Sequence, residues 1–204
     1  VSAVSIPRWQ RAQEAERAWW MEKGQTNRRL ADRIADAPWY AGLLNIRTDD
    51  YEQTSVLDIG GGPLPLAAAL EMDIARCDVL DPVDYTDLGA VVTQNPFVSQ
   101  RFVEPAEWFK VNDGAYDECW GYNVLQHVID PEKVIETAKR AARVVRWLDW
   151  VNTPVHEIHP HSIGPNWLRT QFGLDWNITF DTSGSVTRPG WSHEFIAIVA
   201  ERAA

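Results

Sequence analysis

The stretch "VLDIGGGPLPLAAAL", residues 56 to 70, constrains this chain more than any other. The β-branched-rich run "SVLDIG" predicts a short strand, and Gly60, Gly61 and Gly62 predict a tight turn after it. "LPLAAALEM" then predicts a helix, with Pro65 tolerated in its first turn. Such a unit sets a glycine turn at the carboxyl end of a strand, where open α/β sheets bind their ligands.

The rest of the chain supplies the sheet. "RCDVLDP" predicts a second strand ended by Pro82, Arg101 to Glu104 a third, and Asp117 to Tyr122 a fourth. "DPEKVIETAKRAARVV" predicts a helix with Asp130 as N-cap and Pro131 at its first position. Strand and helix thus alternate four times, the pattern of a parallel sheet. After Arg146, "WLDWVNT" predicts a fifth strand and "GPNWLRTQFG" a helix closed by Gly173. "NITFDTSGSVTRPGWSHEFIAIVAE" predicts two strands joined through a Gly- and Pro-containing loop, pairing as an antiparallel hairpin. Two helices are expected over residues 8 to 37, punctuated by Gly24 and Pro38.

The glycine turn discriminates among nucleotide ligands. A P-loop needs a Lys-Ser/Thr pair where Pro63 and Leu64 stand. A dinucleotide pyrophosphate wants a third glycine where Pro65 stands, and Asp58 just before the turn would repel it. S-adenosylmethionine has no phosphate and carries a sulfonium and an ammonium, so an acid beside the turn favours it. Asp81 lies 23 positions after Asp58, at the end of the second strand, where a carboxylate can accept both ribose hydroxyls.

"VLDIGGGPLPL", "DVLDPVD" and "YDECWGYNVLQHVIDPEKVI" together resemble the class I S-adenosylmethionine-dependent methyltransferases, in particular those acting on small molecules. The likeness covers roughly residues 55 to 140. It implies an α/β fold with a Rossmann-like seven-stranded mixed sheet, mostly parallel with a C-terminal antiparallel hairpin, flanked by helices. It implies a helical extension or lid over residues 1–50 and a cofactor-binding methyltransferase domain over 51–204. The cofactor would be S-adenosylmethionine and its product S-adenosylhomocysteine. Asp58, Gly60, Gly61 and Gly62 would surround the methionine part; Asp81 and Pro82 would take the ribose; Ala106 and Glu107 would lie near adenine; Asn123 and Val124 would follow the fourth strand beside the cofactor. Leu64 and Pro105 depart from the family pattern, and no Pro-Gly-Gly turn precedes the fifth strand. Those departures keep a second reading open, a cofactor-binding but catalytically inactive interaction protein.

The acceptor side is less patterned. His161 and His127 are candidate general bases, since histidine titrates near working pH. Trp19, Trp20, Tyr122, Gln126 and His159 are candidate acceptor contacts. "VHEIHPHSI" invites a metal reading, with alternation placing His159 and His161 on one face, but no further histidine or cysteine pairs with them, so no metal is expected. Asn123, Asp149 and Asn152 form a weaker set for a magnesium-assisted reaction.

Composition bears on partners. The formal charge of -10 disfavours nucleic acid, and Arg140, Arg143 and Arg146, at near-helical spacing, read as a solvated helix face. The fourth strand is followed by "YNVLQH" where amino-methyltransferases of bases carry an Asn/Asp-Pro-Pro-aromatic motif, and neither cysteine follows a proline. A small-molecule acceptor is therefore expected. Cys77 and Cys119 form no CxxC pair, and no long apolar run or signal sequence is visible, so a cytoplasmic protein without membrane contact is expected. The 11 tryptophans read first as packing; one or two could line a pocket, and exposed ones would mark an interface such as a homodimer's.

Overall fold

The computed structural model describes residues 1–188 and 191–203. Seven strands form one sheet in the order β3-β2-β1-β4-β5-β7-β6. They are β1 (Ser55–Ile59), β2 (Arg76–Leu80), β3 (Gln100–Phe102), β4 (Tyr116–Tyr122), β5 (Ala142–Val151), β6 (Trp176–Arg188) and β7 (Trp191–Arg202). The first five run parallel, and β7 inserts antiparallel between β5 and β6. The expected mixed sheet with its C-terminal hairpin is therefore present. The Pro189–Gly190 part of the expected hairpin loop lies outside the described residues.

The helices are α1 (Ile6–Trp20), α2 (Thr26–Leu43), α3 (Leu66–Ala69), α4 (Ala90–Thr93), α5 (Pro131–Ala141) and α6 (Pro165–Gln171). β1 is buried on both faces, as a central parallel strand must be: Val56 and Leu57 are both 0% exposed. One side of the sheet packs on α5 through Val134, Ile135 and Ala138. The other packs on α2 through Ala37 and Ala41, and on Leu44 just after it. Trp147 of β5 lies across β4, and a Cβ on Gly121 would come within 2.6 Å of its ring. Only glycine fits there, so indole and strand interlock.

Four local expectations are corrected. Residues Ala142 to Val145 were expected to continue the helix, yet β5 starts directly after Ala141, because Ala142 pairs with Tyr116 and Val144 with Glu118 in the sheet. Arg140, Arg143 and Arg146 consequently share no helix face, and Arg146 pairs with Glu118 at 2.7 Å. Pro38 does not stop α2, which runs on to Leu43; it stands on the exposed face, where water can replace the lost hydrogen bond. The helix after the glycine turn shrinks to Leu66–Ala69, closed by Glu71 at φ 52. Between β3 and β4 the chain, with Pro105 and Gly114, forms turns and no helix among the described residues. The N-cap of α5 is as expected, with Asp130 accepting from the Lys133 amide.

Candidate active site at the carboxyl end of the sheet

The glycine turn leaves β1 at Gly60, whose φ is +68. Its amide donates to Leu80 O at 2.8 Å, and a Cβ there would lie 2.6 Å from Val124 Cγ2, so the turn is pressed against the start of the loop after β4. Two arginines hold its far side. Arg33 of α2 donates through Nη2 to Gly61 O (2.8 Å) and through Nε to Leu64 O (2.6 Å). Arg101 of β3 donates through Nη1 to Gly62 O (2.8 Å) and through Nη2 to Pro63 O (3.0 Å).

Acids complement these cations. Asp81 accepts from the Gly62 amide (3.0 Å) and the Val83 amide (2.9 Å). Asp58 lies beneath the turn, 0% exposed, with Oδ2 accepting from the Leu66 amide at 3.3 Å and Oδ1 buried without a partner. Burial raises both carboxyls to about 7, opposed chiefly by Arg33 at Asp58 and by backbone amides at Asp81. Both are thereby poised to respond to a cation.

Two cavities open here. A groove of about 40 Å³ runs between the strand ends (Gly60, Asp81, Pro82, Ala106, Val124) and Trp9, Gln13 and Glu16 of α1. A chamber of about 510 Å³ lies beside it, walled by Trp19, Trp20, Tyr40, Tyr122, Trp150 and His159 among others. Glu16, Gly60, Asn123 and His127 line both, so the cavities meet at these residues.

At that meeting point His127 Nδ1 lies 3.3 Å from Glu16 Oε2. Burial lowers His127 to about 4, helped by the nearby His156, so its imidazole is neutral near pH 7. Burial raises Glu16 to about 7 against the pull of Arg33. Asn123 takes a left-handed conformation, φ 59, which asparagine tolerates, and its side chain accepts from Gln126 Nε2. Gln13 Nε2 donates to His127 O at 2.8 Å, tying α1 to the loop after β4.

The structure brings together most of the residues proposed from sequence. Gly60, Asp81, Pro82, Ala106, Asn123 and Val124 line the groove, and Gly62, Trp19, Trp20, Tyr122, Gln126 and His159 line the chamber. Gly61, within the turn, and Asp58, beneath it, line neither cavity. Glu107 is turned away: its Oε1 accepts from the Ile129 and Asp130 amides at 2.6 and 3.0 Å. His161 also leaves the cleft. It is 3% exposed, with a ring nitrogen 2.8 Å from Val128 O: the loop after β5 holds it as expected, but the irregular course of residues 156–163 turns the side chain back into the protein. His159 instead packs edge-on against His127, ring centroids 4.7 Å apart. Among the described residues no group of three or more His, Cys, Asp or Glu side chains is arranged to hold a metal ion. Arg33, Glu16, Gln13 and Arg101 were not singled out from sequence, since none stands in a motif, whereas Trp9 belongs to the N-terminal tryptophan cluster of which one or two members could line a pocket.

The sequence matches no protein-family model and no curated protein. The structure does match solved ones. A candidate methyltransferase from Bacillus halodurans C-125 superposes with a TM-score of 0.65 at 11% identity, over 83% of this chain and 100% of that one. Magnesium protoporphyrin IX methyltransferase from Synechocystis PCC 6803, solved with S-adenosylmethionine bound, gives 0.63 at 13% identity, over 94% and 97%. The fold is that of the class I methyltransferases. Within this fold the cyclase SpnF also matches, with a TM-score of 0.64 at 12% identity over 84% and 81%. A class I methyltransferase fold therefore supports more than one chemistry, and the site has to carry the functional argument. Among the described residues no helix is long and apolar enough to cross a membrane.

Proposed function

We propose that this protein is an S-adenosylmethionine-dependent methyltransferase acting on an oxygen or nitrogen of a small-molecule acceptor. The observation that carries the reading is the meeting of groove and chamber at Glu16, Gly60, Asn123 and His127. Methyl transfer needs donor and acceptor in line, and two adjoining cavities suit such an arrangement.

The groove's chemistry fits the cofactor. Gly60 allows close backbone approach, Asp81 has lone pairs left for ribose hydroxyls, and Pro82, Ala106 and Val124 offer apolar flanks for a purine. Glu16, Asp58 and Asp81 supply negative potential for a cationic ligand. When bound, the cofactor supplies an electrophilic methyl on a sulfonium. About 40 Å³ holds roughly one water, so α1 has to move off the groove to admit a nucleoside. Residues 1–50 thus act as a lid on the domain formed by 51–204.

The chamber, at about 510 Å³, is of small-ligand size. Trp19, Trp20, Tyr122, Gln126 and His159 contact the acceptor in this reading. Neutral His127 accepts the acceptor's proton, and the Glu16 carboxylate beside it steadies the imidazolium that forms. His161 takes no part. The test is methyl transfer from labelled donor to a panel of phenols, carboxylates and amines. Transfer that disappears in His127→Ala and Asp81→Ala supports the reading, and equal transfer in all three proteins would refute the site assignment.

A further inference from the structure

The chamber pairs aromatic walls with polar atoms that the fold leaves without partners. Trp19, Trp20, Tyr40 and Trp150 supply walls that suit a flat, largely apolar ligand. Tyr40 packs on Tyr122 with ring centroids 5.2 Å apart, and the Arg33 guanidinium lies over the Tyr122 ring at 4.4 Å, so that ring has a fixed place. Yet Tyr122 Oη, in a residue 3% exposed, has no hydrogen-bond partner among the described residues. Gln126 repeats the pattern. It is 0% exposed, its Nε2 donates to Asn123 Oδ1, and its Oε1 has no partner. Both residues line the chamber, and Gln126 Nε2 lies 3.5 Å from His127 Nε2. Folded chains seldom leave a buried hydroxyl or amide oxygen unpaired, because the lost hydration is then not made good.

We propose that Tyr122 and Gln126 are the specificity residues for the acceptor and together read a hydroxyl on a planar aromatic ring. The inference rests on the methyl-transfer reading. A hydroxyl answers both atoms: it donates to Gln126 Oε1, which can only accept, and accepts from Tyr122 Oη. This hydroxyl keeps its proton and is not methylated. His127 takes the proton of a second hydroxyl, whose oxygen gains the methyl as the S–C bond breaks with its electron pair left on sulfur. The two hydroxyls are close together on the ring, since Gln126 and His127 are chain neighbours whose side chains meet. The acceptor class follows: an aromatic diol, preferred over the same ring with one hydroxyl, because the single hydroxyl leaves buried polar atoms unpaired.

The experiment is calorimetry on the full chain saturated with S-adenosylhomocysteine, using naphthalene-2,3-diol and 2-naphthol, which differ by one hydroxyl. The wild type should bind the diol at least about tenfold more tightly. Tyr122→Phe and Gln126→Met should each cut that ratio by about threefold or more, while affinity for 2-naphthol changes by less than about twofold. Thermal melts of the unliganded proteins add a second readout. Because Tyr122 Oη has no partner in the fold, Tyr122→Phe should melt no lower than the wild type. A merely structural hydroxyl would instead lower the Tm and leave the ratio alone. An unchanged ratio in either variant overturns the inference. If the wild type binds S-adenosylhomocysteine but does not discriminate the two naphthols, or binds neither of them, the inference is overturned and the methyl-transfer reading stands. If S-adenosylhomocysteine itself does not bind, both fall.

Discussion

Arg33 of α2 and Arg101 of β3 both reach the glycine turn and between them bond four consecutive carbonyls, Gly61 to Leu64. Neither residue stands in the glycine motif, yet the motif's conformation depends on both. Replacing Arg101 with Met should leave Gly62 O and Pro63 O without their donors and cost about 1–3 kcal/mol. Urea denaturation reads the loss, and an unchanged midpoint would show that water replaces the guanidinium without penalty.

Gly60 is held by two constraints, a φ of +68 and a Cβ position 2.6 Å from Val124 Cγ2. Gly60→Ala should therefore destabilise by about 2 kcal/mol or more. Val124→Ala in the same chain removes the colliding methyls and should recover the steric part, while the φ strain remains. Additive losses in the double variant would contradict this packing.

Stability should depend on pH through the buried acids. Glu16, Asp58, Asp81 and Asp149 are all raised to about 7, chiefly by burial. Raised acids hold protons in the folded chain that the unfolded chain has already released, so their contribution is lost as pH climbs through 7. His127 and His159, lowered to about 4 and about 3, act oppositely but only below the unfolded histidine value. Stability should thus fall by roughly 2 kcal/mol between about pH 6.5 and about pH 8. Thermal melts over that window check it, and a rising Tm would contradict it. Because a cation favours the ionised acids, affinity for the methyl donor should increase over the same window.

The proposed lid role of α1 can be tested by fixing the helix. Val4, just before α1, donates its amide to Ile129 O at 2.9 Å, and the native Cys77 and Cys119 are buried. A Val4→Cys, Ile129→Cys disulfide would hold the start of α1 over the groove. Oxidation should weaken S-adenosylhomocysteine binding about tenfold or more, with reductant restoring it. Equal affinity in both redox states would show that the nucleoside enters without α1 moving.

The sheet was legible because its signals are local. Glycines after "SVLDI", Asp81 before Pro82 and Asp130-Pro131 each announce their place within a few residues. The start of β5 was not, because "ARVV" continues a helical pattern and only pairing with β4 draws it into the sheet. In the site, Asp81 and Gly60 were readable from the motif, whereas Arg33 and Glu16 reach it from helices far upstream. Nothing near either residue in sequence marks it, and only the packing of α1 and α2 over the strand ends brings them in. His161 illustrates the converse: it stands in the loop after β5, as expected of a candidate base, but the direction of a side chain in an irregular loop is not legible from sequence.

The most direct test is calorimetric titration of the wild-type chain with S-adenosylhomocysteine. A saturable isotherm with a micromolar Kd is predicted, tightened by Asp81 and weakened in Asp81→Ala. No binding by a protein that still unfolds cooperatively would contradict the account, leaving the glycine turn and its two arginines as architecture alone.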